Sequence, residues 1–382
     1  MYFKTEEIAL GEASEEEKVL LARILREEYG LEPVLAEIEI FLEKTASSRV
    51  YRCGLGKGRF LVIKKSFWMD AANEDALQKA KLALEKVYEV SEALRLKGVP
   101  LPKAYLNKKN EFTTTVGLNR FVVLEYVPGS HFSSRDGEFA SGGKALGIFH
   151  REGMNFLKER PDEQDEIQKK IPVEKPYEET RILYNKLLRA DFLREHACDE
   201  KDICEYVRDN IEILDSTIKF IDNSGVVDAG ANKLSRGLVH NDFNINNALF
   251  HSDGASTLAI FLDVDQLGVA PHIWDVGNTL TSYASNFVGS ANEKDFPKHA
   301  AEFLRAYHKE FPLPEKEYEL ILAATQRWDM MRILRSLWRH HHDNNRLPGL
   351  LPKIKERLIP RIKDAPRVLA FITPDWIKET LS

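Results

Sequence analysis

"LVHNDFNINNALF", residues 238–250, sets His240, Asp242 and Asn247 between apolar flanks, with three further asparagines among them. The trio is spaced H-x-D-x-x-x-x-N, and that spacing decides how the chain reads. A polar turn between two strands needs neither its carboxylate nor its amide at a fixed interval. Phosphoryl transfer does, because it asks for a cation on the phosphate oxygens and a group orienting the attacking hydroxyl rather than for covalent chemistry by the protein. In that arrangement Asp242 accepts the hydroxyl proton, and Asn247, five residues on, reaches magnesium. His240 orients the loop by hydrogen bonding rather than titrating in the reaction.

Working outward, Asp263 follows sixteen residues after Asn247 in "AIFLDVDQLG", where it leaves an apolar strand. It is the second magnesium ligand such a loop requires, since Mg²⁺ is hard, takes oxygen donors and shares them with phosphates. Strand alternation places Asp265 on the same face as Asp263. Direct metal ligation, support of the ligand and contact with substrate all stay open for it. A single Asp is most often a solvated turn carboxylate; the trio with Asp263 behind it is not explained that way.

The first third of the chain supplies candidates for holding a nucleotide. "FLVIKK" ends an apolar strand with lysines, and Lys64 follows the Ile as in the V-A-I-K strand whose Lys binds phosphates. Its acidic partner is expected on the long helix that follows, where Glu85, Glu89 and Glu92 are candidates and Glu85 is chosen. The phosphate-covering loop falls at "EKTASSRVY". It has no glycine, so Ser47 and Ser48 with nearby backbone N–H groups must serve. In "VVLEYVPG" the backbone of Glu125 and Val127 is placed against adenine by position in the chain.

The pattern around these residues is α+β. Residues 15–29 read as an amphipathic helix, acidic at its start and ended by Gly30. "AEIEIFLEK", "RVYRCGL" and "GRFLVIKKSF" alternate as three consecutive strands, which predicts an antiparallel sheet. A long helix spans Asp70 to Lys97 with Leu77, Ala80, Leu84, Val87, Ser91 and Leu94 on one seam. Past the Pro128-Gly129 break, helical patterns dominate at 139–152, 177–195, 203–222, 295–309 and 316–340, interrupted by β-like segments at 247–250 and 258–264. The expectation is a small sheet-bearing N-terminal lobe, residues 1–126, and a larger, mainly helical C-terminal lobe, residues 127–382.

Composition agrees with an ordinary globular chain. At 382 residues it exceeds the size at which one core keeps growing. The formal net charge of −6 comes from interspersed charges, which argues against nucleic acid or a membrane surface as the main partner. Three cysteines without CxxC spacing fit neither a disulfide framework nor a zinc site, and a reducing cytoplasm suits them. The acidic N-terminus lacks the features of a signal peptide.

Taken together, these segments resemble the aminoglycoside phosphotransferase and choline kinase family, which shares a bilobal fold with protein kinases. The resemblance spans most of the chain. "KGVPLPKAY" is similar to the family's segment between helix and hinge, "VVLEYVPG" to its hinge and "ALGIFHREG" to its helix ending in Leu-x-x-x-His. "LVHNDFNINNALF" is similar to the catalytic loop and "FLDVDQLGVAPHIWDVGN" to the metal segment. The resemblance implies ATP and Mg²⁺ as cofactors and a small hydroxylated molecule as acceptor. It makes Asp242 the base or hydroxyl orienter, Asn247 and Asp263 the Mg²⁺ holders, and Lys64 the partner of the α and β phosphates. Asp275, in "IWDVGN", is similar to a family Asp that braces the catalytic loop. Asn246-Asn247 with the D-x-D at 263 and 265 looks most like bacterial N-acetylhexosamine 1-kinases, which favours a sugar or amino sugar acceptor over an amino alcohol or aminoglycoside.

Other features have plainer readings. In "RHHHD", 339–343, adjacent histidines on a helix point about 100° apart and cannot face one ion. Trp274, Trp328 and Trp338 could form a cage for a quaternary ammonium group, but helical spacing favours core packing. The alternative class, a regulatory pseudokinase that only binds nucleotide, is expected to have lost at least one metal ligand. Phosphorylation of a protein side chain is disfavoured because no A-P-E segment follows Asp263.

Overall fold

The structure is a computed structural model. It describes residues 10–41, 48–67, 74–117, 119–162, 167, 206, 208–227, 233–251, 258–285, 287–290, 292–342 and 354–382. Along the chain run β1 (Leu10–Glu12), α1 (Glu15–Ile24), β2 (Ile38–Phe41), β3 (Ser48–Gly54), β4 (Phe60–Phe67), α2 (Glu74–Leu96), β5 (Thr113–Val116), β6 (Asn119–Glu125), β7 (Ser130–His131) and α3 (Glu138–Glu159). They are followed by α4 (Ile211–Ser224), β8 (Arg236–Val239), β9 (Ala248–Phe250), β10 (Leu258–Phe261), β11 (Gly268–Pro271), α5 (Ile273–Ala284), α6 (Phe296–Glu310), α7 (Ile321–His342), α8 (Ile359–Val368) and α9 (Pro374–Leu381). Ser47, the expected helix at 177–195, Cys198 and Cys204 lie outside the described residues, as do the side chains of Trp338 and the histidines at 340–342.

Two compact units account for the packing: residues 1–171 with 245–267, and residues 172–244 with 268–382. In the first, a six-stranded sheet has the order β1-β2-β3-β4-β6-β5, antiparallel throughout. Alternation sets its two faces. Tyr51 is opposite Ile63, Cys53 opposite Leu61 and Ile63 opposite Val123 on three neighbouring strands, and with Phe121 they form one buried cluster with Leu21, Ile24 and Leu25. Burying each large apolar side chain contributes about 1.5–3 kcal/mol. Lys64 is one residue out of that register, so it lies on the other face with Val50 and Val122.

α1 begins where the sequence expects it because Ser14 and Glu17 form a reciprocal capping box. It widens into a π-type turn over Leu25–Tyr29 and ends at Gly30, whose φ of +68° a side chain would resist. The seam of α2 is buried at Leu84, Val87, Ser91 and Leu94, together with Tyr88 and Val90. A three-stranded sheet, β10-β9-β7, completes this unit. There Gly129 passes so close to β9 that a Cβ would lie 2.9 Å from the Phe250 carbonyl oxygen.

In the second unit β8 pairs with β11, and α5 packs on α7 with almost no spacing. A Cβ at Gly277 would stand 2.8 Å from that of Ala324, and Thr325 donates to the Gly277 carbonyl oxygen at 2.9 Å. β7, β8 and β11 were not expected from the sequence; at two to four residues they are too short to display a period. The β-like segment expected to run to residue 264 stops at Phe261, because Asp263 adopts a left-handed conformation (φ 58°) and starts a 3-10 turn over Val264–Gln266. Alternation therefore does not relate Asp263 to Asp265.

Candidate active site

The loop after β8 is held from beneath by Asp275, in the first turn of α5. Its buried carboxylate accepts the backbone N–H of His240 on Oδ2 and that of Asn241 on Oδ1, each at 2.7 Å. Burial pushes the Asp275 carboxyl above its ordinary range, opposed by His240 and by the two N–H donors. Asn241 takes a left-handed conformation (φ 62°), which Asn tolerates better than most residues, and so turns the chain sharply between two bonded amides. The Thr279 hydroxyl lies 3.0 Å from the Phe243 carbonyl oxygen, adding a second tie to α5. His240 is fully buried, and its backbone N–H is one of the two that Asp275 holds.

Asp242 is less buried than His240, Asn241 and Phe243 around it. Asn244 fixes it: the side-chain amide donates to Asp242 Oδ1 at 2.9 Å and to its carbonyl oxygen at 3.0 Å. Sequence reading left Asn244 without a role. Its signal was an amide two residues past a carboxylate, a spacing at which short polar side chains bond locally.

In the other unit the β9–β10 hairpin sets the next pair. Ala248 is opposite Phe261, and one step beyond, the Leu262 N–H donates to the Asn247 carbonyl oxygen at 2.8 Å. Asn247 and Asp263 thus stand at the same end of one hairpin. The left-handed turn at Asp263 redirects the chain so that Lys64, on β4, donates to Asp263 Oδ1 at 2.6 Å and to Asp265 Oδ2 at 2.8 Å. Burial opposes the charge on Lys64, yet the two carboxylates outweigh it and hold the ammonium above the ordinary lysine range.

Asp265 has three donors. Besides Lys64, Arg120 Nη2 donates to Oδ2 at 3.2 Å and the Tyr88 hydroxyl to Oδ1 at 2.9 Å. Burial favours the protonated acid, but Lys64 and Arg120 prevail and keep the Asp265 carboxyl below its usual range. Tyr88 is pushed well above the ordinary phenol range by burial and by Asp265, so it is a donor at any working pH. Neither Tyr88 nor Arg120 was singled out from the sequence. Arg120 is two residues from Val122, the strand partner of Lys64, and knowing that register would have revealed it.

The expected Lys64–Glu85 pair does not form. Glu85 instead accepts the backbone N–H groups of Phe112 and Thr113, at 2.8 Å each, and the Thr113 hydroxyl, and so anchors the start of β5 to α2. The other candidates are also engaged: Glu89 with Lys86, and Glu92 with Arg95 and the Ala104 N–H. Ser48 is not in a loop; it begins β3 opposite Ser66 and is buried. Glu125 closes β6 opposite Leu61, its N–H donating to the Lys103 carbonyl oxygen, and Val127 follows in an irregular segment. Trp274 is engaged otherwise: its indole N–H donates to the Val226 carbonyl oxygen, and the buried Arg327 guanidinium covers its ring at 3.2 Å.

The donors at the hairpin end fit a hard divalent cation: Asp263 offers a carboxylate with 38% of its side chain exposed, and Asn247 an amide. Asp265 has both oxygens already bonded and 14% of its side chain exposed. No group of three or more His, Cys, Asp and Glu arranged to hold a metal occurs among the described residues.

A model of the phosphotransferase enzyme family matches residues 39–320, which include every residue of this site. The chain belongs to that family. It is therefore a phosphotransferase enzyme, a small-molecule kinase by family. The phosphotransferase resembles the amicoumacin kinase hAmiN in complex with AMP-PNP, Ca²⁺ and Ami, at 15% identity over 92% of this chain and 93% of that one with a TM-score of 0.59. It also resembles the microcompartment-associated aminopropanol kinase (13% identity, 92% and 98% covered, TM-score 0.57) and a Plasmodium vivax ethanolamine kinase (15%, 94% and 92%, 0.57). At such identities the likeness establishes the fold: α+β, bilobal and kinase-like, with a small antiparallel-sheet lobe and a larger helical one. No curated protein sequence matches the chain significantly. No helix among the described residues is long and apolar enough to cross a membrane.

Proposed function

We propose that the chain moves the γ-phosphate of ATP, with Mg²⁺, to a hydroxyl of a small metabolite in the cytoplasm. The observation that carries this reading is the hairpin that puts Asn247 and Asp263 at one end, with Lys64 bonded to Asp263. Asn247 and Asp263 would hold Mg²⁺, which when bound neutralises charge on the phosphate oxygens. Lys64 supplies the fixed positive charge for the phosphates. Asp242, held by Asn244, orients the acceptor hydroxyl and takes its proton as the new bond to phosphorus forms. His240 keeps the loop in place through its backbone.

Residues 1–126 are proposed as the nucleotide-binding lobe, with Ser47, Ser48 and the backbone of Glu125 and Val127 on the nucleotide side. Residues 127–382 carry the catalytic loop and acceptor determinants. For the acceptor, a sugar or amino sugar comes first, on the strength of Asn246 beside Asn247 and the D-x-D at 263 and 265. Amino alcohols and aminoglycosides come next, supported by the solved structures named above. Retention of Asp242, Asn247 and Asp263 together weighs against a pseudokinase.

The test is acceptor-dependent ADP release across sugars, amino sugars, amino alcohols and aminoglycosides, with ATP and magnesium. ATP binding without turnover on any of them would favour a regulatory nucleotide-binding protein instead.

A further inference from the structure

We propose that Asp265, clamped by Tyr88 and Arg120, positions Lys64 for the nucleotide phosphates in place of a helix glutamate. This rests on the function proposed above and concerns one unit only. Lys64 lies on a sheet face next to α2, yet no α2 carboxylate among Glu85, Glu89 and Glu92 is bonded to it. What α2 supplies instead is a phenol. Tyr88 donates to one oxygen of Asp265, while Lys64 and Arg120 donate to the other.

Donors on both oxygens fix the rotation of the carboxylate. Two cationic donors share one of its oxygens and the phenol takes the other. Asp263, the other partner of Lys64, has the more open side chain, 38% exposed against 14%, and belongs to the proposed metal-holding pair. When Asp263 gives its oxygens to a metal, Asp265 is the carboxylate that still holds the ammonium. Tyr88 and Arg120 are positioning residues in this scheme, acting on Lys64 through Asp265. A phenol and a guanidinium from two different elements thereby tie α2 and β6 to the phosphate-binding lysine.

The experiment measures the affinity of the full chain for ATP with magnesium and, separately, for adenosine, which lacks the phosphates that Lys64 contacts. The unaltered chain is compared with Tyr88→Phe, Arg120→Met, Arg120→Lys, Asp265→Asn and Glu85→Gln, and melting temperatures are recorded alongside. Tyr88→Phe is expected to weaken ATP about threefold to tenfold, and Asp265→Asn and Arg120→Met by about tenfold or more, as loss of a charged hydrogen bond implies. Adenosine affinity should stay within about twofold of the unaltered chain by the same reasoning, and Arg120→Lys should recover part of the loss. General damage to the lobe would weaken both ligands together and count against the proposal. Unchanged ATP affinity in both Tyr88→Phe and Asp265→Asn overturns it, as does a Glu85→Gln loss matching that of Asp265→Asn. Failure of the unaltered chain to bind ATP at all removes the function reading itself, a result seen before any variant is made.

Discussion

Asn244 binds Asp242 twice through one side-chain amide, at Oδ1 and at the main-chain oxygen. A carboxylate that must meet a hydroxyl in one orientation gains from a neighbour that limits its rotation, and the Asn244 amide does so from two residues away. Replacing Asn244 by Ala should lower kcat about tenfold while leaving KM for ATP near its original value, since the lost bond is to a charged group. Asp242→Asn should cost about a hundredfold or more, because the proton acceptor itself is removed. Steady-state kinetics on both variants decides it: equal, small effects would mean that Asp242 is not the acceptor of the proton.

Asp275 holds the same loop from α5, and its removal leaves two buried N–H groups unpaired. Asp275→Ala should lower stability by about 2–4 kcal/mol, from the cost of orphaned buried donors. Urea denaturation measures the loss. A midpoint unchanged from the original chain would show that the loop does not depend on this brace.

The proposed metal pair makes a separate demand. Chelation with EDTA should stop ATP-dependent turnover and excess Mg²⁺ should restore it. Asp263→Ala should lower turnover by about a hundredfold or more at saturating metal. Near-normal rates in Asp263→Ala would rule out its role, whatever Asn247 does.

Gly277 lies where α5 and α7 touch, with a would-be Cβ 2.8 Å from Ala324 and 3.0 Å from the Ile321 carbonyl oxygen. Backbone cannot yield as a flexible side chain can. Gly277→Ala should therefore destabilise the chain by about 1–3 kcal/mol, the usual penalty of overpacking. Because Asp275 is two residues away on the same helix, turnover should fall too. A thermal melt coinciding with that of the unaltered chain would contradict the close packing.

Cys53 is fully buried on β3, and burial pushes its thiol up to about 12. At pH 8 only about one such thiol in ten thousand is ionised, and the thiolate is the reactive form. Iodoacetamide should leave Cys53 unlabelled in the folded chain and modify it once urea unfolds the protein. Peptide mass spectrometry reads this directly, and rapid labelling under native conditions would disprove the burial.

Much of this protein was legible along the chain because it depends on neighbours in sequence. The alternation of β2, β3 and β4, the seam of α2 and the spacing of Asp242 and Asn247 are local patterns, each fixed by a repeat of about two or about 3.6 residues. The partner of Lys64 was not legible. Asp263 and Asp265 lie 199 and 201 residues away from it in sequence, and the left-handed turn at Asp263 breaks the alternation from which Asp265 was read. Glu85 had the right chemistry at a plausible place, but the backbone at Phe112 and Thr113 claimed it first. The sequence by itself determined the fold class and the spacing of the proposed catalytic loop, because these follow from residue types at fixed short intervals. Which carboxylate meets which cation was decided only by the tertiary structure, because that choice depends on register between strands and on how donors distant in the chain compete for the same buried oxygens.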